Sequence, residues 1–172
     1  MKKEIYFAGG CFWGVEKFFS RLPGVLETQS GYANGSTLTP SYEDVCFHQT
    51  GHAETVRVVY SEERSLKTLI ELFFEIIDPT AVNHQGMDRG TQYRTGIYYT
   101  ALDDLPVITQ TVAELQERYS APIAVEVRPL SNFYPAESYH QKYLDKNPDG
   151  YCHIPHKAFE WAKHIPLDRH HF

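Results

Sequence analysis

The chain has little with which to staple itself, anchor itself or attract nucleic acid. Three cysteines in 172 residues are too few for a disulfide scaffold, and an odd number leaves at least one thiol unpaired in any intramolecular scheme. At this length one domain buries a sufficient core without staples. Basic side chains are the minority. Sixteen Lys and Arg against 22 Asp and Glu give a net charge of −6 and a pI near 5.8, the wrong sign for a duplex-binding surface. The longest apolar stretch, Leu69–Ile77, is interrupted by Glu71 and Glu75 and is far too short to cross a bilayer. Residues 1–10 hold neither an apolar leader core nor a small-residue cleavage site, so the expectation is a cytoplasmic chain without membrane attachment. Aromatic residues are what is abundant: 12 Tyr, 10 Phe and 2 Trp, 14% of the chain. Buried Tyr hydroxyls need partners, so the phenols call for an explanation.

Hydrophobic periodicity orders the chain. Lys3–Ala8 alternates as a strand and ends at Gly9-Gly10. From Cys11, the positions Phe12, Val15, Phe18, Phe19 and Leu22 form a helical stripe stopped by Pro23-Gly24. Val25–Tyr32 reads as a weaker strand, Asn34-Gly35 as a turn, and Tyr42–Phe47 as a short helix. Ala53–Tyr60 alternates clearly, and Leu66, Leu69, Ile70, Phe73 and Ile77 mark an amphipathic helix before Pro79. Residues Pro79–Arg94 show no period, and a loop of that length inside a compact domain is usually functional or disordered. Gly96–Thr100 reads as a strand, Leu105–Tyr119 as a helix, and Val125, Val127 and Leu130 as a last strand. Pro135–Leu144 reads as helical, Asn147-Pro148-Asp149-Gly150 as a turn, and the remainder as a polar, His-rich tail. The expectation is an α+β fold: a ferredoxin-like, split βαβ, mainly antiparallel sheet with helices packed on it, long loops and an irregular tail. Residues 1–152 are expected to form one catalytic domain, and 153–172 a tail in which Ala158, Phe159, Trp161 and Ile165 pack as a short helix.

One thiol stands out by position. Cys11 lies where a strand ends, two glycines turn the chain and a helix begins. Free amides and the positive end of the helix dipole favour a thiolate there, and the thiolate is the nucleophile. A buried inert thiol beside Phe12 and Trp13 is the plain alternative.

Gly10-Cys11-Phe12-Trp13-Gly14 resembles the signature of the type A peptide methionine sulfoxide reductases. Further blocks follow in the order of that family: Gly31-Tyr32-Ala33-Asn34-Gly35, Tyr42-Glu43-Asp44-Val45-Cys46, Gly51-His52-Ala53-Glu54 and Gly90-Thr91-Gln92-Tyr93-Arg94. Phe133-Tyr134 with Ala136-Glu137, then Asn147-Pro148-Asp149-Gly150-Tyr151-Cys152, complete the series. The resemblance spans about Ile5 to Cys152.

It implies reduction of the S epimer of methionine sulfoxide, peptide-bound or free, in repair of oxidised proteins. Cys11 matches the nucleophile, Glu54 the acid, and Tyr42 and Tyr93 the phenols that hold the sulfoxide oxygen. Phe12 and Trp13 match the apolar wall for the substrate methyl group, and Asp88 the acid that contacts the substrate backbone. A carboxyl among aromatic rings is desolvated and stays protonated near neutrality, which suits the role given to Glu54. Cys11 is expected to become a sulfenic acid, resolved by Cys152 in a mobile segment. The Cys11–Cys152 disulfide is then recycled by thioredoxin or dithiothreitol. No other cofactor is implied, and one chain suffices, so a monomer is expected. Cys46 reads as a buried bystander. No cysteine follows Cys152, so no further relay is expected.

Other readings exist. Cys152, His153, His156 and the terminal His170-His171 suggest metal binding, but neither a CxxC pair nor HExxH is present. An aromatic-rich peptide-binding module leaves the Gly-Gly-Cys helix start idle. A thiol peroxidase needs two cysteines, but no acid and paired phenols around a methyl pocket.

Overall fold

The computed structural model describes residues 2–168. Its centre is a six-stranded sheet. The strands are β1 (Lys3–Gly9), β2 (Val25–Ala33), β3 (Ala53–Tyr60), β6 (Thr95–Tyr99), β7 (Glu126–Pro129) and β8 (Phe133–Pro135). They lie in the order β7-β6-β1-β3-β2-β8. All neighbours are antiparallel except β6 and β7, which run parallel. The two-residue strands β4 (His84–Gln85) and β5 (Asp88–Arg89) form a separate hairpin. The helices are α1 (Phe12–Arg21), α2 (Tyr42–Phe47), α3 (Leu66–Glu75), α4 (Asp104–Gln116), α5 (Tyr143–Lys146) and α6 (His156–Lys163).

Alternation divides the sheet residues between two faces. Ile5 and Phe7 of β1 join Val56, Val58 and Tyr60 of β3 in the large core beneath α1 and α3. Phe7 stacks on Phe19 of α1 at 4.9 Å and on Phe73 of α3 at 4.6 Å between centroids. The opposite face carries a small cluster of Tyr6, Ala8, Ala33, Ala53 and Tyr98, covered by Leu130 and Phe133. Glu54 has the parity of Val56 and Val58, so the carboxyl continues the apolar row on the helix-covered face.

Two sequence expectations need correction. Pro135–Leu144 is not a continuous helix: β8 ends at Pro135, a 3₁₀ turn occupies Ser138–His140, and α5 begins only at Tyr143. Side chains claim the backbone groups that a helix would use. Gln141 bonds Ser30 N–H, Ser30 C=O and Ala136 C=O, while Glu16 accepts from Lys142 N–H at 2.7 Å. Lys142 itself is left-handed, with φ 53°. Second, Pro79–Arg94 is not featureless, because it contains the β4–β5 hairpin and a 3₁₀ turn at Thr91–Tyr93. The segment after Cys152 contains α6, which includes Ala158, Phe159 and Trp161 of the expected short helix, while Ile165 lies beyond it. Phe159 and Ala162 of α6 are buried in the main core, Lys17 of α1 lies over the Phe159 ring, and buried Arg64 donates to the carbonyls of Ile165 and Pro166. His170 and His171 lie outside the described residues.

Candidate active site

The site forms where β1 hands the chain to α1. Gly10 has φ 85°, and a Cβ there would stand 2.7 Å from Gln85 Cβ. Glycine is therefore required both for the turn and for the close approach. The turn leaves Cys11 at the N-cap of α1, 8% exposed. Trp13 N–H bonds the sulfur and lowers its pKa, but burial and the nearby Glu54 outweigh this and push the thiol well above its usual value. The resting group is a thiol, not the thiolate that helix position alone suggests. Desolvation outweighs the helix end.

Glu54 is the second residue of β3 and is 1% exposed. Its Oε1 accepts from Phe12 N–H at 3.2 Å, so the first amides of α1 serve the carboxyl and the thiol alike. Oε2 is buried without a protein partner among the described residues. Burial pushes the Glu54 pKa up to about 8, against the opposing pull of Phe12 N–H. At neutral pH the group is a carboxylic acid rather than a carboxylate.

Two phenols share this field. Tyr42 begins α2, whose capping box pairs Ser41 with Asp44, and Tyr42 N–H donates to Glu137 Oε2 at 2.9 Å. Tyr93 ends the 3₁₀ turn after the hairpin. Burial raises both phenols, and both feel Glu54. Tyr93 also feels Tyr42 directly. Neither ionises near neutrality, so both are donors. Cys46 is not inert packing: its thiol interacts with the Tyr42 hydroxyl.

Phe12 is buried, with its ring 5.7 Å from Tyr32 and 5.2 Å from His140. Trp13 is half-buried. It stacks on Tyr143 at 3.7 Å with planes 12° apart and donates its indole N–H to His140 Nδ1 at 3.0 Å. That bond puts the imidazole proton on Nε2, and burial keeps His140 neutral by lowering its pKa. His140 also lies against Tyr42, 4.6 Å between centroids. Together these rings make a half-open aromatic wall.

Asp88, on β5, lies close enough to raise the Cys11 thiol and interacts with the Tyr151 hydroxyl. Cys152 is half-buried, and its sulfur is in the field of Cys11. It is less free than a mobile segment implies. Its thiol donates to Ile154 C=O at 3.3 Å and accepts from Ile154 N–H at 3.4 Å. A Cβ on Gly14 would stand 2.7 Å from the sulfur. All three cysteines are reduced. Among the described residues, no three His, Cys, Asp or Glu side chains are grouped to hold a metal ion.

The sequence reading missed the groups that hold this wall. Glu137 accepts from Tyr32 OH at 2.8 Å as well as from Tyr42 N–H. Burial opposes its charge, but these bonds hold its pKa below the usual value. Glu16, 1% exposed, collects Thr28 OH, Ser30 OH and Lys142 N–H. Nothing in the spacing of Glu16 announces this. The cluster Tyr139-His140 with Tyr143 is visible in sequence, but the helical reading hides the fact that His140 and Tyr143 face Trp13.

The model of the family "Peptide methionine sulfoxide reductase" matches residues 3–165. A peptide methionine sulfoxide reductase MsrA from Lachnoclostridium phytofermentans is 57% identical over 164 residues, 95% of this chain and 99% of that protein. Among solved structures, reduced Mxr1 from Saccharomyces cerevisiae is 41% identical, covers 88% of each chain and superposes with a TM-score of 0.84. A structure of Mxr1 in complex with Trx2 is 28% identical, covers 83% of this chain and 84% of that one, and has a TM-score of 0.58. On this match, which runs from β1 past α6, the chain belongs to the peptide methionine sulfoxide reductase family.

Proposed function

We propose that the chain reduces the S epimer of methionine sulfoxide to methionine, with Cys11 as nucleophile and Glu54 as acid. It is an oxidoreductase, a thiol-dependent methionine sulfoxide reductase acting in protein repair. The observation that carries the residue assignment is the shared helix start. Phe12 N–H holds Glu54 and Trp13 N–H holds Cys11, which puts a neutral acid beside a thiol.

In the reaction, Tyr42 and Tyr93 donate to the sulfoxide oxygen, as oxyanion donors do. Glu54 gives that oxygen its proton, and the carboxylate so formed takes the proton of Cys11. The thiolate sulfur bonds to the substrate sulfur. The S–O bond then breaks and the protonated oxygen leaves as water. A water attacks the Cys11 sulfur, breaking the new S–S bond, so that methionine departs with the electron pair, a proton is released and Cys11 is left as a sulfenic acid. Phe12 and Trp13 wall the substrate methyl group, and Asp88 contacts the substrate backbone. Cys152 next attacks Cys11, releasing water and forming the Cys11–Cys152 disulfide. A dithiol, thioredoxin in the cell or dithiothreitol in vitro, takes up the disulfide and restores both thiols. The solved complex of Mxr1 with Trx2 supports a thioredoxin partner.

The remaining assignments complete the proposal. Residues 1–152 carry the catalytic domain and 153–172 form the tail. The order β6-β1-β3-β2 supports the ferredoxin-like description of the central strands. The chain acts as a monomer in the cytoplasm, without metal, nucleic acid or membrane. No described helix is long and apolar enough to cross a membrane. An epimer-resolved assay with dithiothreitol tests the function. Turnover confined to the S epimer is expected, and equal or faster turnover of the R epimer would sink the reading.

A further inference from the structure

Apart from Met1, the chain contains a single methionine, Met87. Its side chain is 87% exposed, more than Leu38 at 82% or Phe47 at 76%. Its position is built, not incidental. Gln85 pairs with Asp88 across the β4–β5 hairpin, leaving Gly86 and Met87 as a two-residue tip. Gly86 takes φ 57° at the first tip position, where such turns demand glycine, and Met87 takes the second. The hairpin cannot tip inward to cover the thioether, because its inner side is occupied. A Cβ on Gly86 would stand 3.3 Å from His153 Cβ and 3.5 Å from Tyr151 Oη. Gln85 is locked to the backbone of Asp78, accepting from its N–H at 2.8 Å and donating to its C=O at 2.7 Å. The adjacent Asp88 reaches the field of Cys11. A thioether on a side chain 87% exposed therefore stands on the rim of the site proposed to reduce oxidised thioethers.

We propose that Met87 is an oxidation site and a substrate of the enzyme itself: peroxide converts it to the sulfoxide, and the Cys11 site of a second copy reduces it back. The proposal rests on the reductase reading above. In the first step peroxide transfers one oxygen to the Met87 sulfur and leaves as water. In the second, that oxygen leaves as water, Cys11 of the other copy is left as a sulfenic acid, and Met87 returns to the thioether. Cys152 and a dithiol then close the cycle as for any substrate. An exposed hairpin tip presents the side chain much as a peptide does, with no unfolding needed.

The test uses the full chain carrying Cys11→Ser as substrate, oxidised with hydrogen peroxide and then freed of peroxide with catalase. Mass spectrometry of the peptide containing Met87 reads the gain of one oxygen. A small amount of wild-type chain with dithiothreitol is then added. Peroxide generates both epimers, and reductases of this kind act on one, so about half of the Met87 sulfoxide should disappear. With dithiothreitol but no wild-type chain, all of it should persist. A sulfoxide peptide in the same tube reports reductase activity. Failure of Met87 to oxidise, or persistence of its sulfoxide while the peptide is reduced, overturns the self-substrate proposal alone. Failure on the peptide as well overturns it together with the reductase reading.

Discussion

At the scale of the residue, the site is governed by the contest between burial and the amides of one helix end. Cys11 and Glu54 each receive one N–H from the first turn of α1, and for each burial prevails. For Glu54 this yields a useful acid, since its pKa of about 8 keeps the carboxyl protonated at neutrality. Glu54→Gln should therefore slow the reduction step by about 10²–10⁴-fold, the usual contribution of a positioned acid, measured as single-turnover product formation. The wild-type rate should fall as pH rises through about 8, and the variant should lack that decline. Stability carries the same signature. A raised carboxyl pKa stabilises fully below the unfolded value near 4.5, and this contribution is lost as pH rises toward about 8. Urea midpoints of the wild type should fall across that window, while those of the Gln variant should stay flatter. Glu54 was legible only through the resemblance of Gly51-His52-Ala53-Glu54 to a family block, from which its desolvation among rings followed. The raised Cys11 pKa was not, because a helix N-terminus is visible in sequence and the depth of burial around it is not.

At the scale of the element, the site is made by strands and helices that the periodicity locates well and by connections that it does not. β1, α1, β3 and α3 follow from alternation and helical stripes, because each buries one face in a single core. The short helix at Tyr42–Phe47 is legible for a related reason, its Ser41 and Asp44 capping box being local in sequence. Pro135–Leu144 fails because Glu16 and Gln141 come from elsewhere in the fold or fold back upon it, and side-chain clamps leave no period. The β4–β5 hairpin is too short to alternate at all. Helix α1 carries a further requirement at Gly14, whose missing Cβ makes room for the Cys152 sulfur and Ile154. Gly14→Ala should displace the Cys152 segment. The first turnover should remain close to wild type, while formation of the disulfide and turnover with dithiol should slow several-fold. Quench-flow product formation and thiol titration separate the two steps. An equal loss in both would mean that Gly14 serves Cys11 and not Cys152.

At the scale of the whole molecule, the fold joins residues from opposite ends of the chain. Cys11 begins the first helix, and Cys152 precedes the last, whose Phe159 and Ala162 lock into the same core. Arg64 and Asp168 fasten the end of the described chain beside α3: Asp168 accepts from Ser65 N–H at 2.9 Å and Thr68 OH at 2.8 Å. The segment carrying Cys152 is thus held between two anchored elements, close to Gly14 yet short of the Cys11 sulfur in this reduced state. Seven ordered motifs made the participants recognisable in sequence, but that both thiols stand on one helix start is a property of the folded chain. The most direct test is product stoichiometry with S-epimer substrate and no reductant, read together with mass spectrometry of the cysteines. The wild type should give about one equivalent of methionine and a Cys11–Cys152 disulfide. Cys152→Ser should give about one equivalent and a Cys11 sulfenic acid, and Cys11→Ser none. Product from Cys11→Ser, or none from Cys152→Ser, would contradict the assignment of nucleophile and resolving thiol.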